Sequence, residues 1–260
     1  MEVVLLPDAA AVGRLAAARV AAVVRRRPSA VLGLATGSSP EGIYAELARL
    51  VAAGELDLSG VRCFALDEYV GLPAQHPQSY ASVLRRSVVE PLRLDPAQVR
   101  VPDGCAADLE AAAAEYERAI AAAGGVDLQI LGIGANGHVG FNEPTSSFAS
   151  RTRIKTLAPR TRADNARFFA GPDEVPTHCL TQGLGTILDA RELVLVAQGE
   201  AKADAVAAAV EGPLSSMCPA SALQLHPRAS VLVDEAAGVR LRLADYYRHT
   251  YALKPEWQRP

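Results

Sequence analysis

Short apolar runs rich in β-branched residues punctuate the chain: VVLL near Val3, AVLGLA near Val31, VRCFAL near Val61, VDLQILGIG from Val126, ELVLVAQG near Val194 and ASVLVD near Val231. Between them lie alanine-rich stretches, AAAVGRLAAARVAAVV, AADLEAAAAEYERAIAAAGG and KADAVAAAVEG, whose composition favours helix and allows close packing on a sheet. Strand-forming runs that alternate with helical ones predict an α/β fold, a largely parallel, open, Rossmann-like sheet with helices on both faces. No internal repeat and no long Gly-, Ser- or Pro-rich linker divides the chain, so a single domain over residues 1–260 is expected. One stretch breaks the pattern. From about Ser146 to Leu184 the chain is polar and arginine-rich, carries Pro159, Pro172 and Pro176, and lacks clear periodicity. Long irregular excursions in compact domains are often lids, and a mobile lid over about residues 156–184 is expected here.

Composition narrows the function classes. The 260 residues, 50% hydrophobic and 21% charged, can bury roughly 70–75% of the unfolded surface as one large domain. A formal net charge of −3 with dispersed arginines supplies no basic field for nucleic acid or an anionic membrane, but leaves room for a small anionic ligand. The apolar run in the opening MEVVLLPDAA is too short for a signal peptide, and no stretch approaches transmembrane length, which predicts a cytoplasmic location. Cys63, Cys105, Cys179 and Cys218 stand far apart without CxxC spacing, which argues against a zinc site or a disulfide framework.

The candidate chemistry gathers at the ends of predicted strands, the edge at which open α/β sheets bind ligands. In LGIGANGHVGFNEP, residues 131–144, glycines free the backbone while Asn136, His138, Asn142 and Glu143 bring polar groups together. Taken alone, His138 equally fits a surface histidine on a glycine turn. In LATGSSPEGIY a strand ends in Thr36, Gly37, Ser38 and Ser39 before Pro40 opens a helix, so free N–H groups, hydroxyls and a helix dipole converge where a phosphate can sit. An unliganded, serine-capped helix start is the competing reading of the same residues. In FALDEYVGLPAQHPQSY an apolar strand terminates at Asp67 and Glu68; adjacent side chains alternate sides, so one can face a cleft while the other caps or pairs. Asp67 is the favoured catalytic carboxylate of the two. Lys202, one of only three lysines, sits at a strand-to-helix turn, and Arg167 lies inside the suspected lid; both can reach a phosphate or remain solvated cations.

With these residues in hand, GLATGSSP, FALDEYVGLPAQHPQSY, GIGANGHVGFNEP, SRTRIKTL and SALQLHP, in that order, resemble the glucosamine-6-phosphate deaminase family nearly end to end. The resemblance implies an enzyme that converts glucosamine 6-phosphate and water to fructose 6-phosphate and ammonia, with no cofactor and no metal. It implies that Asp67 is the enolisation base, His138 the ring-opening acid–base, and Asn136 and Glu143 the groups that assist and orient His138. Thr36, Gly37, Ser38, Ser39, Arg167 and Lys202 match the family's substrate-phosphate site. Ser146, Arg153, Lys155, Thr156 and, more loosely, Tyr246 resemble an allosteric pocket that takes N-acetylglucosamine 6-phosphate as activator between subunits, which implies a homo-oligomer, with a hexamer favoured. A charge-protected strand edge is the plainer reading of the basic SSFASRTRIKT segment. Many members carry aspartate where this chain has Asn136; an amide can orient His138 through its oxygen but supplies no negative charge to an imidazolium. Two rivals remain at this point. A 6-phosphogluconolactonase would share the general fold, and a sugar-phosphate sensor would reuse the architecture without catalysis.

Overall fold

The computed structural model describes residues 1–258. Its centre is a seven-stranded sheet in the order β1 (Glu2–Leu6), β10 (Ala229–Asp234), β9 (Glu192–Ala197), β6 (Leu128–Leu131), β2 (Val31–Leu34), β3 (Arg62–Ala65) and β5 (Val99–Arg100). Every neighbouring pair in it is parallel. The expected open parallel sheet is present, and the six apolar runs supply six of its strands. β2, β6 and β10 are buried along their whole length, which is why they read as largely apolar runs, with Gln129, Ser230 and Asp234 as the buried polar exceptions.

The alanine-rich stretches form helices α1 (Ala9–Arg26), α4 (Leu109–Ala122) and α7 (Ala203–Val210). α1 starts at Asp8, whose side chain accepts the Ala11 N–H at 2.7 Å, and buries Val12, Ala16, Ala17, Val20 and Val24. Its small residues let it cross α2 (Glu41–Ala52) closely: a Cβ added at Gly13 would lie 2.8 Å from the backbone of Gly42. Among the described residues, no helix is long and apolar enough to cross a membrane.

Two expectations need correction. The DEY segment does not simply end a strand. β3 stops at Ala65, Leu66 bridges, and Asp67–Tyr69 forms β4 of a second, three-stranded antiparallel sheet, ordered β4–β8–β7. The excursion from Ser146 to Leu184 is also far from irregular. It contains β7 (Arg153–Thr156), α5 (Pro159–Asn165) and β8 (His178–Thr181), and β8 pairs with β4 through Asp67↔Thr181, Glu68↔Leu180 and Tyr69↔Cys179. Cys179, Leu180 and Thr181 are fully buried. The C-terminal part of the expected lid is therefore built into the frame, and only the part around α5 and the two turns after it overhangs the sheet. β7 is an edge strand, as the charge-protected reading of SRTRIKT requires.

The winding of the chain places the site. From β2 the chain moves outward to β3 and β5, then returns to β6 on the other side of β2 and moves outward again to β9 and β10. The order reverses between β2 and β6, and the crevice at the carboxyl ends of such a pair is where open α/β sheets bind ligands.

Candidate active site

The loops that leave the carboxyl ends of four adjacent strands, β9, β6, β2 and β3, converge on one cavity of about 440 Å³. Thr36, Gly37, Ser38, Ser39, Asp67, His138, Arg167 and Lys202 all line it. Residues from separate motifs thus line one cavity.

At one end lies the turn after β2. Gly37 adopts φ +91, which glycine tolerates and which turns successive N–H groups inward. Among the described residues, the N–H groups of Gly37, Ser38 and Ser39 donate to no protein acceptor, while α2 begins directly behind them. Such a turn can accept an anion, and Pro40 at the N-cap makes no side-chain cap bond that would occupy these N–H groups. Gln198, past the end of β9, donates to the Ser39 carbonyl at 3.1 Å and so locks this turn to the one that carries Lys202. Lys202 lies half-buried, and burial together with the nearby Arg167 and Arg160 pulls its pKa below the ordinary lysine value, with Asp164 opposing. Arg167 is exposed on the overhanging segment, its guanidinium 4.8 Å from the centre of the Phe168 ring. Neither cation has an ion-pair partner among the described residues.

At the other end stands Asp67. It is 5% exposed, and no donor among the described residues reaches its carboxyl group. Burial, reinforced by the charge of Glu68, raises its pKa well above the usual carboxylate range. Glu68 takes the opposite path: its oxygens accept the N–H groups of Tyr80, Ala81 and its own neighbour Tyr69 at 2.9, 2.9 and 2.8 Å, capping the short helix α3 (Tyr80–Leu84). The alternation expected of adjacent carboxylates is realised, one facing the cavity and one capping.

His138 packs its ring against Gly134 and lines the cavity between these two ends. Burial lowers its pKa below the ordinary histidine value, and the nearby Glu143 opposes that. Its Nδ1 is buried without a hydrogen-bond partner, 3.7 Å from Glu143 Oε2. Glu143 lies outside the cavity wall and is held from two sides. Asn136 Nδ2 donates to its Oε2 at 2.7 Å, while Thr161 Oγ1 and the Ala158 N–H donate to its Oε1 at 2.5 and 3.2 Å. Asn136 does not touch the imidazole as expected; its oxygen accepts the backbone N–H of His138 at 3.2 Å, which leaves its amide nitrogen for Glu143. An aspartate at this position has no N–H to give, so the amide here secures a carboxylate that an acid would repel.

The candidate allosteric residues lie on three separate parts of the chain: the loop at Ser146, β7 and the helix that carries Tyr246. Arg153 and Lys155 share one face of β7, Thr156 shares the other with Ile154, and Ser146 is buried with its hydroxyl unpartnered. Tyr246 sits 60% exposed on α8 (Ala244–Ala252), which packs on β1 at the far edge of the main sheet. His226 of the SALQLHP motif is a scaffold residue: buried, its Nε2 2.8 Å from the Ala190 carbonyl and its Nδ1 accepting from Arg228. The sequence reading missed an aromatic wall of Tyr69, Tyr80 and Phe141, joined by Phe169 of the overhanging segment at 5.7 Å from Tyr69. It also missed Thr161, Asp164 and Asn165 of α5, which line the cavity from above. Only Pro159, a helix-start signal within TRADN's approach, hinted at α5.

Fold and site together place this chain among α/β enzymes, with a cavity at the sheet's switch point lined by a glycine–serine turn, Lys202, Asp67 and His138. The chain belongs to the family of glucosamine-6-phosphate isomerases and 6-phosphogluconolactonases, whose model matches residues 8–233. It is 61% identical over 259 residues to the glucosamine-6-phosphate deaminase of Streptomyces coelicolor and 58% identical over 259 residues to that of Mycolicibacterium smegmatis, each alignment covering 99% of both chains. Among solved structures it is similar to a monomeric glucosamine-6-phosphate deaminase, with a TM-score of 0.90 and 41% identity over 92% of this chain and 100% of that one. The 6-phosphogluconolactonase of Trypanosoma cruzi shares the fold, with a TM-score of 0.73 at 17% identity over 93% of this chain and 97% of that one.

Proposed function

We propose that this chain converts glucosamine 6-phosphate and water to fructose 6-phosphate and ammonia, with Asp67 and His138 as its acid–base groups. The observation that carries the reading is the Asp67 carboxyl, buried, unpartnered and facing a cavity whose far end presents the N–H groups of Gly37, Ser38 and Ser39 beside Lys202. With the phosphate on Gly37, Ser38, Ser39 and Lys202 and Arg167 closing over it, the sugar extends toward Asp67. His138 takes the proton of the anomeric hydroxyl and returns one to the ring oxygen, which opens the ring; an imidazole kept neutral by burial starts in the form that accepts. Glu143, held by Asn136, faces Nδ1 and steadies the imidazolium that forms. In the open chain the C1 aldehyde acidifies the C2 hydrogen. Asp67 removes it, the electron pair moves to give an enolamine, and the same carboxyl delivers the proton to C1. The resulting C2 imine adds water and expels ammonia, leaving the ketose. The substrate's own carbonyl serves as electron sink.

The test is a coupled assay for ammonia release from glucosamine 6-phosphate, run with and without N-acetylglucosamine 6-phosphate and beside a 6-phosphogluconolactone hydrolysis assay. Ammonia without lactonase activity is expected; lactone hydrolysis without ammonia overturns the reading. The homo-oligomer and the activator pocket belong to the same proposal, supported by the basic face of Arg153 and Lys155 and by the unpartnered hydroxyl of Ser146. Tyr246 then belongs to a neighbouring subunit. Sigmoidal kinetics relieved by the acetylated sugar phosphate are expected of that pocket. Hyperbolic kinetics, with the mass of a monomer in solution, remove it.

The phosphate anchors have their own signature. Lys202→Ala is expected to raise KM for the sugar phosphate by roughly 10- to 100-fold, the loss of one charge-assisted contact. Arg167→Ala, from a more exposed position, is expected to act in the same direction by a smaller factor. Because remote binding energy also orients the reacting carbons, kcat falls as well. Turnover of unphosphorylated glucosamine changes little; equal losses on both substrates remove these residues from the phosphate site.

A further inference from the structure

We propose that Thr161 is a positioning residue: its hydroxyl, carried by the overhanging helix α5, fixes the Glu143 carboxylate so that its second oxygen faces His138. The inference rests on the roles proposed above for Glu143 and His138. A carboxylate free to rotate exchanges its two oxygens, so fixing one of them fixes the other. Here Oε1 takes Thr161 Oγ1 at 2.5 Å and the Ala158 N–H at 3.2 Å, both from the start of α5. Oε2 takes Asn136 Nδ2 at 2.7 Å and stands 3.7 Å from His138 Nδ1. The Thr161 side chain is 3% exposed, and a buried hydroxyl is costly unless bonded. Valine would fill the same space, so the hydroxyl is what distinguishes threonine here.

The same helix also faces the substrate cavity. Thr161, Asp164 and Asn165 follow the three- and four-residue spacing of one helix face, and all three line the cavity. Arg167 follows within the next turn of chain. The segment that brings Arg167 to the cavity thus also carries the hydroxyl that Glu143 accepts. The helix that lines the cavity and the carboxylate that faces His138 are joined through the two hydrogen bonds that Thr161 and Ala158 give Glu143.

The experiment compares Thr161→Val, Thr161→Ser, Glu143→Gln and the Thr161→Val/Glu143→Gln double variant in steady-state ammonia release. It also follows the His138 ring in enzyme labelled with ¹⁵N-histidine. Thr161→Val is expected to lower kcat about tenfold, the factor carried by one hydrogen bond to a charged group, with KM little changed. Thr161→Ser restores kcat, and Thr161→Val costs nothing further on the Glu143→Gln background. The His138 titration midpoint falls in Thr161→Val, because a misaligned Glu143 opposes burial and Lys202 less, while Asp164 opposes them as before. A near wild-type kcat in Thr161→Val, its full loss repeated on the Glu143→Gln background, or an unmoved His138 midpoint each overturns the inference. Wild-type kcat in Glu143→Gln would instead strike the role proposed for Glu143 itself. That outcome is separate from a failure confined to Thr161.

Discussion

Replacing Asp67 by asparagine is expected to lower kcat on glucosamine 6-phosphate by about 10²–10⁴-fold, the usual worth of a positioned general base, while the thermal midpoint at neutral pH rises. The two effects share one cause. Burial and Glu68 hold the Asp67 pKa well above its ordinary value of 3.8. A group whose pKa is raised by folding favours the folded state fully below its unfolded value, and that contribution is lost as pH rises through the folded value. At neutral pH the aspartate is thus a burden on the fold, and an amide, neutral in both states, removes it. Each kcal/mol recovered raises Tm by about 2–4 °C for a chain of this size. The same shift makes Asp67 a stronger base toward a weakly acidic C–H, which is the return for burying it. It also places an acid limb on the kcat/KM profile above the ordinary carboxylate range, since activity climbs with pH as Asp67 ionises. Steady-state kinetics and calorimetry of the one variant check both. Near-normal kcat removes Asp67 from the mechanism, and a lowered Tm shows that the carboxyl is held by partners rather than strained by burial.

What the sequence made legible is what local chemistry determines. Strands buried on both faces are predominantly apolar, so β2, β6, β9 and β10 stood out, and with them the loops at their carboxyl ends. The carboxyl edge as the place of the site followed from strand-to-helix alternation, whereas the strand order, and with it the switch point, came only with the structure. The second sheet stayed hidden for equally physical reasons. β4 has three residues and follows β3 after a single one, so FALDEY reads as one strand. β7 is half exposed and basic, and its apolar content is one residue, Ile154. β5 has two residues, too few to show any period. Glu143 stood out in its glycine-rich loop and took its role from the resemblance, but the residues that grip it were not all found. Thr161 lies 18 positions away, and nothing in TRADN distinguishes a hydroxyl that bonds a carboxylate from one that meets water. The packing of Asn136 on Glu143 rather than on the imidazole was likewise invisible, since an amide two residues before a histidine can turn either way.

Gly134→Ala is expected to cost as much turnover as removing His138 itself, about 10²–10³-fold for a positioned acid–base group, in a protein that still folds. Gly134 does not have the positive φ that would exclude a side chain. What excludes one is the imidazole: an added Cβ would lie 2.1 Å from His138 Cε1 and 2.4 Å from each ring nitrogen. Something must move, and the backbone on both sides is tied. The Gly134 N–H donates to the His138 carbonyl at 2.9 Å, and the Gly137 N–H donates to the Gly134 carbonyl at 2.9 Å. The ring, with the cavity in front of it, yields first. It then loses its alignment with Glu143, already long at 3.7 Å, and its reach to the ring oxygen of the sugar. The loss therefore falls on kcat, with phosphate-dependent binding kept. Because the damage acts through His138, Gly134→Ala adds little on a His138→Gln background, whereas a general disturbance of the loop would add in full. A single variant with near wild-type kcat would mean that the imidazole does its work from some other position than the one in which this glycine leaves room for it.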